Sequence, residues 1–434
     1  MGFACPWLYL SGKLDEEIYM QQPEGFIARG QESKVICLHK ALYSLKQAGL
    51  AWWNKLGLSM KSLGFKHLSS DARLFICCDN SELTLAVVYV DDAMFFSKNK
   101  KLVGKKKALF MAKWECWDLR EVKEFLRMWV TQHGSDIQIN QADYLKKVLE
   151  SFQMTNTKLT LTPLPNNWDP KLNAGKVTAA EITHYQFIIG SLLYLMIGIC
   201  PDIAFAVINL SQFCTNPSKD HFKAVLHICH YLVGTQDYKL VYSKTGNKGL
   251  VAYLDSDWAA VKIRHRSVTG NFFKLVGGII CWQSYAQKSI ALSSTEADHM
   301  AISSFRQAVW IKTLIEEIRF WLNAIPIFGD NQVLILISSN AIQEKQTKHI
   351  DIHCHYICEL ISAKQVDLYF VPGEMNPTNI LTKNLAKVKF TQFCNQMGLD
   401  FNKSKSTWVP INAYACLTAA LGIGVCWKSH TIHM

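Results

Sequence analysis

Residues 87–96 read VVYVDDAMFF, two adjacent carboxylates, Asp91 and Asp92, set between two strongly apolar runs. The flanking stretches LTLAVVYV and AMFFSK have the length and the β-branched or aromatic content of strands, so the acids are expected at or beside the tip of a tight hairpin. Two readings follow from the residues alone. Asp tolerates turn conformations, which makes a plain hairpin tip sufficient. Alternatively, two acids held beside a low-dielectric sheet repel each other unless a cation intervenes, and Mg²⁺ is a hard, oxygen-seeking ion that also grips phosphates.

The surrounding chain is large enough for either use. Its 434 residues allow two or three domains, and 49% hydrophobic against 19% charged residues is the balance of a folded protein. A formal net charge of +11 favours a polyanionic partner. Fourteen cysteines are scattered through a chain that opens MGFACPWLYL, without a basic-then-apolar leader. That usage fits a reducing, intracellular compartment, cytoplasmic or nuclear, rather than a disulfide framework. The apolar tail from Ile411 to Trp427 is shorter than the roughly 20 residues a helical span needs, so no membrane partner is expected.

Outward from the hairpin the clearest break is TLTPLPNNWDPKLNAGK, residues 160–176, a linker or surface loop by its Pro, Asn and Gly content. A helical block follows. Apolar residues recur at helical spacing up to Pro201, a second helix starts behind Asp202, and HFKAVLHICHYLVGT places Ala224, Val225, Ile228 and Leu232 on one face. From Gly249 the pattern changes to strands. KGLVAYLDSDWA, TGNFFKLVGGIICWQS and QKSIALSS read as three of them and SSTEADHMAISSFRQAVWIKTLIEEI as a long helix. NQVLILISSN and VDLYFVP add two more strands around the helical KHIDIHCHYICELISAK, which argues for a mixed sheet with flanking helices.

YVDD between apolar runs resembles the active-site hairpin of reverse transcriptases. LYLSGKLDEEIYMQQPEGF, KALYSLKQAGLAWW and LVAYLDSDWA resemble the Pol polyprotein of copia-type LTR retrotransposons, and the likeness covers nearly all of residues 7–396 in the family's order. The resemblance implies an α/β (α+β) chain: a truncated reverse-transcriptase palm over 1–159 with its fingers missing, a linker and helical thumb or connection over 160–248, and a ribonuclease H-like mixed sheet over 249–396. Residues 397–434 remain unassigned. It also implies three metal-binding acids in the polymerase, two of them Asp91 and Asp92. Counting back along the family pattern puts Ala4 at the third position, and a methyl group cannot coordinate Mg²⁺ or Mn²⁺. Gln47 matches a residue lining the template and nucleotide region, although the Pro-Arg that should follow is Gly49-Leu50. Arg127 stands where the pattern has Gly, a place that can require an unusual backbone angle. The basic run at residues 97–110, with Lys105, Lys106 and Lys107, is either a solvated helix face or a surface that meets phosphates.

Taken singly, Asp255 at a strand end, Glu296 in a first helical turn and Asp330 at a turn each have a structural explanation. As an ordered set they resemble the ribonuclease H acids that hold two Mg²⁺ ions on a scissile phosphate, with Asp257 the nearby alternative to Asp255. The fourth acid belongs in an Asn-Pro-Ala-Asp-Ile-Leu-Thr-Lys motif, which here reads NPTNILTK with Asn379 at the aspartate's place. An amide offers an oxygen but no charge. His349, His353 and His355, with Cys354 and Cys358, lack paired Cys-x-x-Cys spacing and read as a helix rather than a zinc site. His355 matches a family His near the cleft and is a further candidate. The expected protein is therefore a Pol-derived fragment that is polymerase-dead and weak or inactive as a nuclease. The alternative is a domesticated, non-catalytic module that grips RNA, DNA or an RNA–DNA hybrid. An intact Pol subunit is a further expected partner.

Overall fold

The computed structural model describes residues 2–4, 9–114, 116–119, 123–133, 136–154, 157–243, 249–261, 266–287, 303–330 and 348–400. The chain divides into two compact units, Met1–Lys123 and Glu124–Met434.

In the first unit, β1 (Gly2–Ala4), β2 (Lys13–Gln21), β3 (Val35–Lys40), α1 (Ala48–Ser62), β4 (Lys66–His67), β5 (Leu74–Asp79), β6 (Glu82–Tyr89), β7 (Asp92–Ser97), α2 (Lys100–Met111) and β8 (Trp117–Asp118) follow in chain order. Six strands form an antiparallel sheet in the order β4-β5-β6-β7-β1-β8, and β2 pairs with β3 apart from it. Leu56 and Met60 from α1, with Val103 and Phe110 from α2, share one buried cluster with Phe75, Ala86, Val88, Ala93 and Phe95 of the sheet. Phe95 meets Phe65 and Phe110 edge-on, with ring centroids 5.5 and 5.8 Å apart. The start of α2 is set by Asn99, whose side chain accepts hydrogen bonds from the Lys101 and Leu102 amides at 3.0 and 3.2 Å.

The second unit continues with β9 (Glu124–Phe125), β10 (Met128–His133), β11 (Asp136–Asn140), α3 (Ala142–Ser151), α4 (Ala179–Gly198), α5 (Ala204–Ser211), α6 (Lys219–Gly234) and β12 (Lys239–Tyr242). Then come β13 (Val251–Val261), β14 (Arg266–Leu275), β15 (Gly278–Ala286), α7 (Ser303–Glu317), β16 (Ile325–Gly329), α8 (Lys348–Ser362), β17 (Val366–Phe370), α9 (Asn379–Thr382), α10 (Lys387–Met397) and β18 (Leu399–Asp400). One five-stranded sheet runs β18-β12-β11-β10-β9. The other runs β15-β14-β13-β16-β17, with β13 to β15 antiparallel and β16 and β17 parallel to β13. That mixed sheet is the one expected for a ribonuclease H-like region, and the α/β class holds.

The helical block is core, as its spacing predicts: Ala224, Val225, Ile228 and Leu232 are all buried. Thr178 and Glu181 form a reciprocal cap at the start of α4. The indole of Trp282 in β15 donates to the Met196 carbonyl at 3.0 Å, fastening the mixed sheet to α4. The 160–176 stretch carries no helix or strand, yet it is not wholly a surface loop: Thr162 and Leu164 are buried, and the Thr162 carbonyl lies 3.1 Å from His227 Nε2.

The first compact unit ends at Lys123, because β9 to β11 join a sheet completed by β12 and β18 from far along the chain. For the same reason Leu399 and Asp400, expected in an unassigned tail, form a strand. The stretch TGNFFKLVGGIICWQS is two strands, because Val276 and Gly277 both take positive φ (54° and 77°) and reverse the chain between β14 and β15. Of QKSIALSS only Gln287 is described, and NQVLILISSN and the start of the helix around Glu296 lie outside the described residues.

Candidate active sites

In the first unit the hairpin tip is Val90–Asp91. Tyr89 and Asp92 are Cα partners, so Asp92 opens β7 while Asp91 occupies the second loop position. Val90 has φ 52° and Asp91 does not share the positive sign, the pattern of a type II′ turn, which usually takes glycine at Val90's position. A β-branched residue there costs on the order of 1–3 kcal/mol, a strain the flanking β6–β7 ladder holds in place. Both acids are half-buried. Tyr43 donates its hydroxyl to Asp91 Oδ2 at 2.8 Å.

β1 lies beside β7, and its register pairs Ala4 with Asp92 and Phe3 with Ala93. Position 4 is thus the backbone neighbour of one of the two hairpin acids. Gln47, at the amino end of α1, donates Nε2 to Glu16 Oε2 at 3.0 Å.

The lysines after the hairpin correct one expectation. Lys106 and Lys107 are 6% and 4% exposed and face inward. Lys106 Nζ reaches Asp79 Oδ2 and the Leu63 carbonyl, both at 2.8 Å, and lies 5.5 Å from the centre of the Phe65 ring. Burial pushes this ammonium's pKa down, but hydrogen bonds to Asp79 and Cys77 outweigh it and the net direction is up. Lys107 pairs with Asp118. These two lysines tie α2 to the sheet and do not face solvent phosphates, whereas Lys105 is exposed. The lysine run alternates faces because α2 is a helix, which a count of charges does not reveal.

In the second unit Asp255 sits in β13, 3% exposed, with its Oδ2 accepting a hydrogen bond from Thr382 of α9 and lying 3.9 Å from Lys383 Nζ. Asp257, two residues on, has a carboxyl pushed up by burial and by Asp255, with Lys383 pulling it back. Asp330 follows β16. Burial first, then the charge of Asp255, raises its carboxyl to about 6 against the opposing pull of Lys383. Asp255, Asp257 and Asp330 therefore share one electrostatic neighbourhood.

Asn379 opens α9 and is buried. Its Nδ2 donates to the Gly373 carbonyl at 2.6 Å, while its Oδ1 has no hydrogen-bond partner. Gly373 also lies against Asp330, since a Cβ there would stand 3.0 Å from Asp330 Oδ2. A buried amide oxygen without a donor is costly and is the kind of group a cation or a water would satisfy. Asn376, whose Nδ2 donates to the Leu254 carbonyl at 2.8 Å, holds the loop before α9 against β13.

These donors suit an oxygen-seeking cation in kind: two carboxylates, Asp255 and Asp330, and the unpartnered oxygen of Asn379. They fall short in number. Among the described residues no three His, Cys, Asp or Glu side chains gather into a metal-holding group. Glu296 lies outside the described residues, and at the hairpin Asp91 and Asp92 stand without a third acid at position 4. His355 is exposed on α8, on which the side chains of His349, His353 and Cys354 are not described. Sequence reasoning missed Thr382 and Lys383; the NILTK run contained them, but only the fold brings them onto Asp255.

An antiparallel sheet with an acid pair at a hairpin, followed by a mixed sheet with acids converging on its central strand, defines a palm-plus-ribonuclease-H-like protein. A family profile for reverse transcriptase (RNA-dependent DNA polymerase) matches residues 6–166. The chain is 33% identical over 404 residues to the retrovirus-related Pol polyprotein from transposon TNT 1-94 of Nicotiana tabacum, covering 90% of this chain and 30% of that protein. It is 31% identical over 394 residues to the corresponding polyprotein from transposon RE1 of Arabidopsis thaliana, covering 90% and 27%. Among solved structures, a foamy viral protease-reverse transcriptase in complex with double-stranded DNA matches with a TM-score of 0.42 and 13% identity, over 84% of this chain and 58% of that one.

The chain belongs to the copia-type LTR-retrotransposon Pol family, as a stretch with reverse transcriptase and ribonuclease H regions. It spans less than a third of the length of these plant relatives.

Proposed function

We propose that this chain is a Pol-derived fragment, polymerase-dead and at most a weak nuclease on the RNA strand of an RNA–DNA hybrid. The observation that carries the reading is the pairing of Ala4 with Asp92, with Asn379 as its counterpart beside Asp330 and Gly373. In this reading each centre keeps acids that the family resemblance assigns to metal and carries a neutral residue at one such position. When bound, divalent ions supply charge neutralisation on a phosphate and an activated water. Asp255, Glu296 and Asp330 would hold them in the ribonuclease region, and Asp91 and Asp92 in the palm, with reduced affinity for Mg²⁺ or Mn²⁺ in both because ligand charge sets that affinity.

The residues act accordingly. Thr382 orients the Asp255 carboxylate, Asn376 and Gly373 bring the α9 loop against β13 and Asp330, and Asn379 presents a neutral oxygen where a charge would strengthen the hold. The reading extends to RNA, DNA or hybrid partners, to association with an intact Pol subunit, and to an intracellular site, cytoplasmic or nuclear. Nine described cysteines form no disulfide, which suits a reducing compartment; Cys116 is the exception, being disulfide-bonded. No helix among the described residues is long and apolar enough to cross a membrane.

The test is hybrid cleavage with Mg²⁺ or Mn²⁺, comparing the natural chain with Asn379→Asp, alongside extension of a primed RNA template. The expected result is low cleavage that rises with Asn379→Asp, and no extension. Robust extension, or a folded Asn379→Asp variant that gains nothing, would overturn it. A second reading, a non-catalytic nucleic-acid-binding module, is favoured by the same Asn379 and Ala4, and hybrid binding that persists without any cleavage in either form would establish it.

A further inference from the structure

We propose that Lys383 is a built-in counter-ion of Asp255, one that competes with divalent cations for its carboxylate. The inference rests on the reading of Asp255 as part of the ribonuclease H-like centre and concerns what faces its carboxylate without metal.

Lys383 Nζ lies 3.9 Å from Asp255 Oδ2, the same oxygen that accepts the Thr382 hydroxyl. The Asp255 carboxylate is 3% exposed, while the lysine is 39% exposed and so can swing away. No other Lys or Arg is paired with Asp255 among the described residues.

Like charges gathered in a low-dielectric pocket are unstable without an opposing charge. A full four-acid set draws its opposing charge from bound ions. With Asn379 neutral, one ammonium offsets a larger share of what remains, and a monovalent group tethered to the chain needs no uptake from solution. Lys383 is a counter-ion here and not a catalytic residue: nothing places it on a substrate.

A competing counter-ion and a mere surface ion pair differ in sign. Removing a competitor strengthens cation binding, whereas removing an irrelevant ion pair leaves it unchanged. Mn²⁺ binding to the full chain at pH 7.5, by titration calorimetry, should be compared for the natural chain, Lys383→Met and Lys383→Arg, with thermal unfolding of each in EDTA. Lys383→Met should tighten Mn²⁺ binding by about 1.5- to fivefold, the range for a partly exposed charge pair. It should also lower the melting temperature in EDTA, with the loss recovered on adding Mn²⁺. Lys383→Arg, which keeps the charge, should resemble the natural chain in both. Unchanged or weaker Mn²⁺ binding in Lys383→Met, or Mn²⁺ uptake in none of the three, would overturn the proposal. Because Asn379→Asp cleavage is read separately, a gain there beside unmoved Mn²⁺ affinity in Lys383→Met would remove the counter-ion role and leave the nuclease reading standing.

Discussion

Ala4 is the Cα partner of Asp92 across the β1–β7 ladder. Directly opposed residues of an antiparallel pair bring their Cβ atoms to about 5 Å. On the family reading, a carboxylate introduced at position 4 is therefore expected to join Asp92 in a metal-holding group. Ala4→Asp should bind Mn²⁺ at least several-fold more tightly than Ala4→Asn in titration calorimetry, with Asp91→Asn abolishing the gain. Equal affinities for the two variants would place position 4 outside the metal group.

Leu126 and Arg127 form the two-residue turn between β9 and β10, with φ 51° and 60°. Both positive signs define a type I′ turn, whose second position favours glycine. Arg127→Gly should raise stability by about 1 kcal/mol or less, the relief of left-handed strain set against the added freedom of glycine in the unfolded chain. Chemical denaturation measures it, and a loss of stability would show that the guanidinium makes a contact worth more than the strain.

Lys106 separates a fastening role from a nucleic-acid role. Lys106→Met should cost about 1–2 kcal/mol, since Asp79 is partly exposed and can rehydrate while the Leu63 carbonyl loses its donor. It should leave the salt dependence of hybrid binding unchanged. Lys105→Ala, on the exposed face, should leave stability alone and flatten that salt dependence. The opposite assignment of effects would return Lys106 to the binding surface.

Asp202, in the short 3₁₀ turn Pro201–Ile203 before α5, is buried, and burial pushes its carboxyl up to about 6 from the ordinary 3.8. Tyr231 donates its hydroxyl to Asp202 Oδ2 at 2.5 Å and opposes the shift, and Oδ1 has no partner. A raised carboxyl pKa means the folded state holds the proton more tightly than the unfolded chain. The stability this contributes is fully present below about pH 4 and is lost as pH rises through about 6. The melting temperature of Asp202→Asn minus that of the natural chain should therefore become more positive between pH 4 and 7. A flat difference would mean that Asp202 titrates normally.

Much of this was legible in the sequence, for physical reasons that vary with the element. The hairpin was readable because two apolar runs left only two residues for a turn, although the tip proved to be Val90–Asp91, a choice made by ladder register rather than composition. Arg127 in place of glycine pointed to the left-handed turn it forms. The α6 face was readable because helical spacing of Ala224, Val225, Ile228 and Leu232 leaves one burial solution. Sheet membership of Leu399 and the inward turn of Lys106 were not readable, since each depends on partners distant in the chain. The same holds for Lys383 on Asp255, a contact spanning 128 residues whose only local signal was a lysine next to a threonine.

The central claim, that both acid clusters lack one member, is tested most directly by anomalous diffraction from crystals of the full chain soaked in Mn²⁺. The expected map has no ion pair at Asp91–Asp92 and at most one partially occupied ion at Asp255–Asp330. Fully occupied pairs about 4 Å apart at either cluster, the spacing of a working two-metal site, would contradict it.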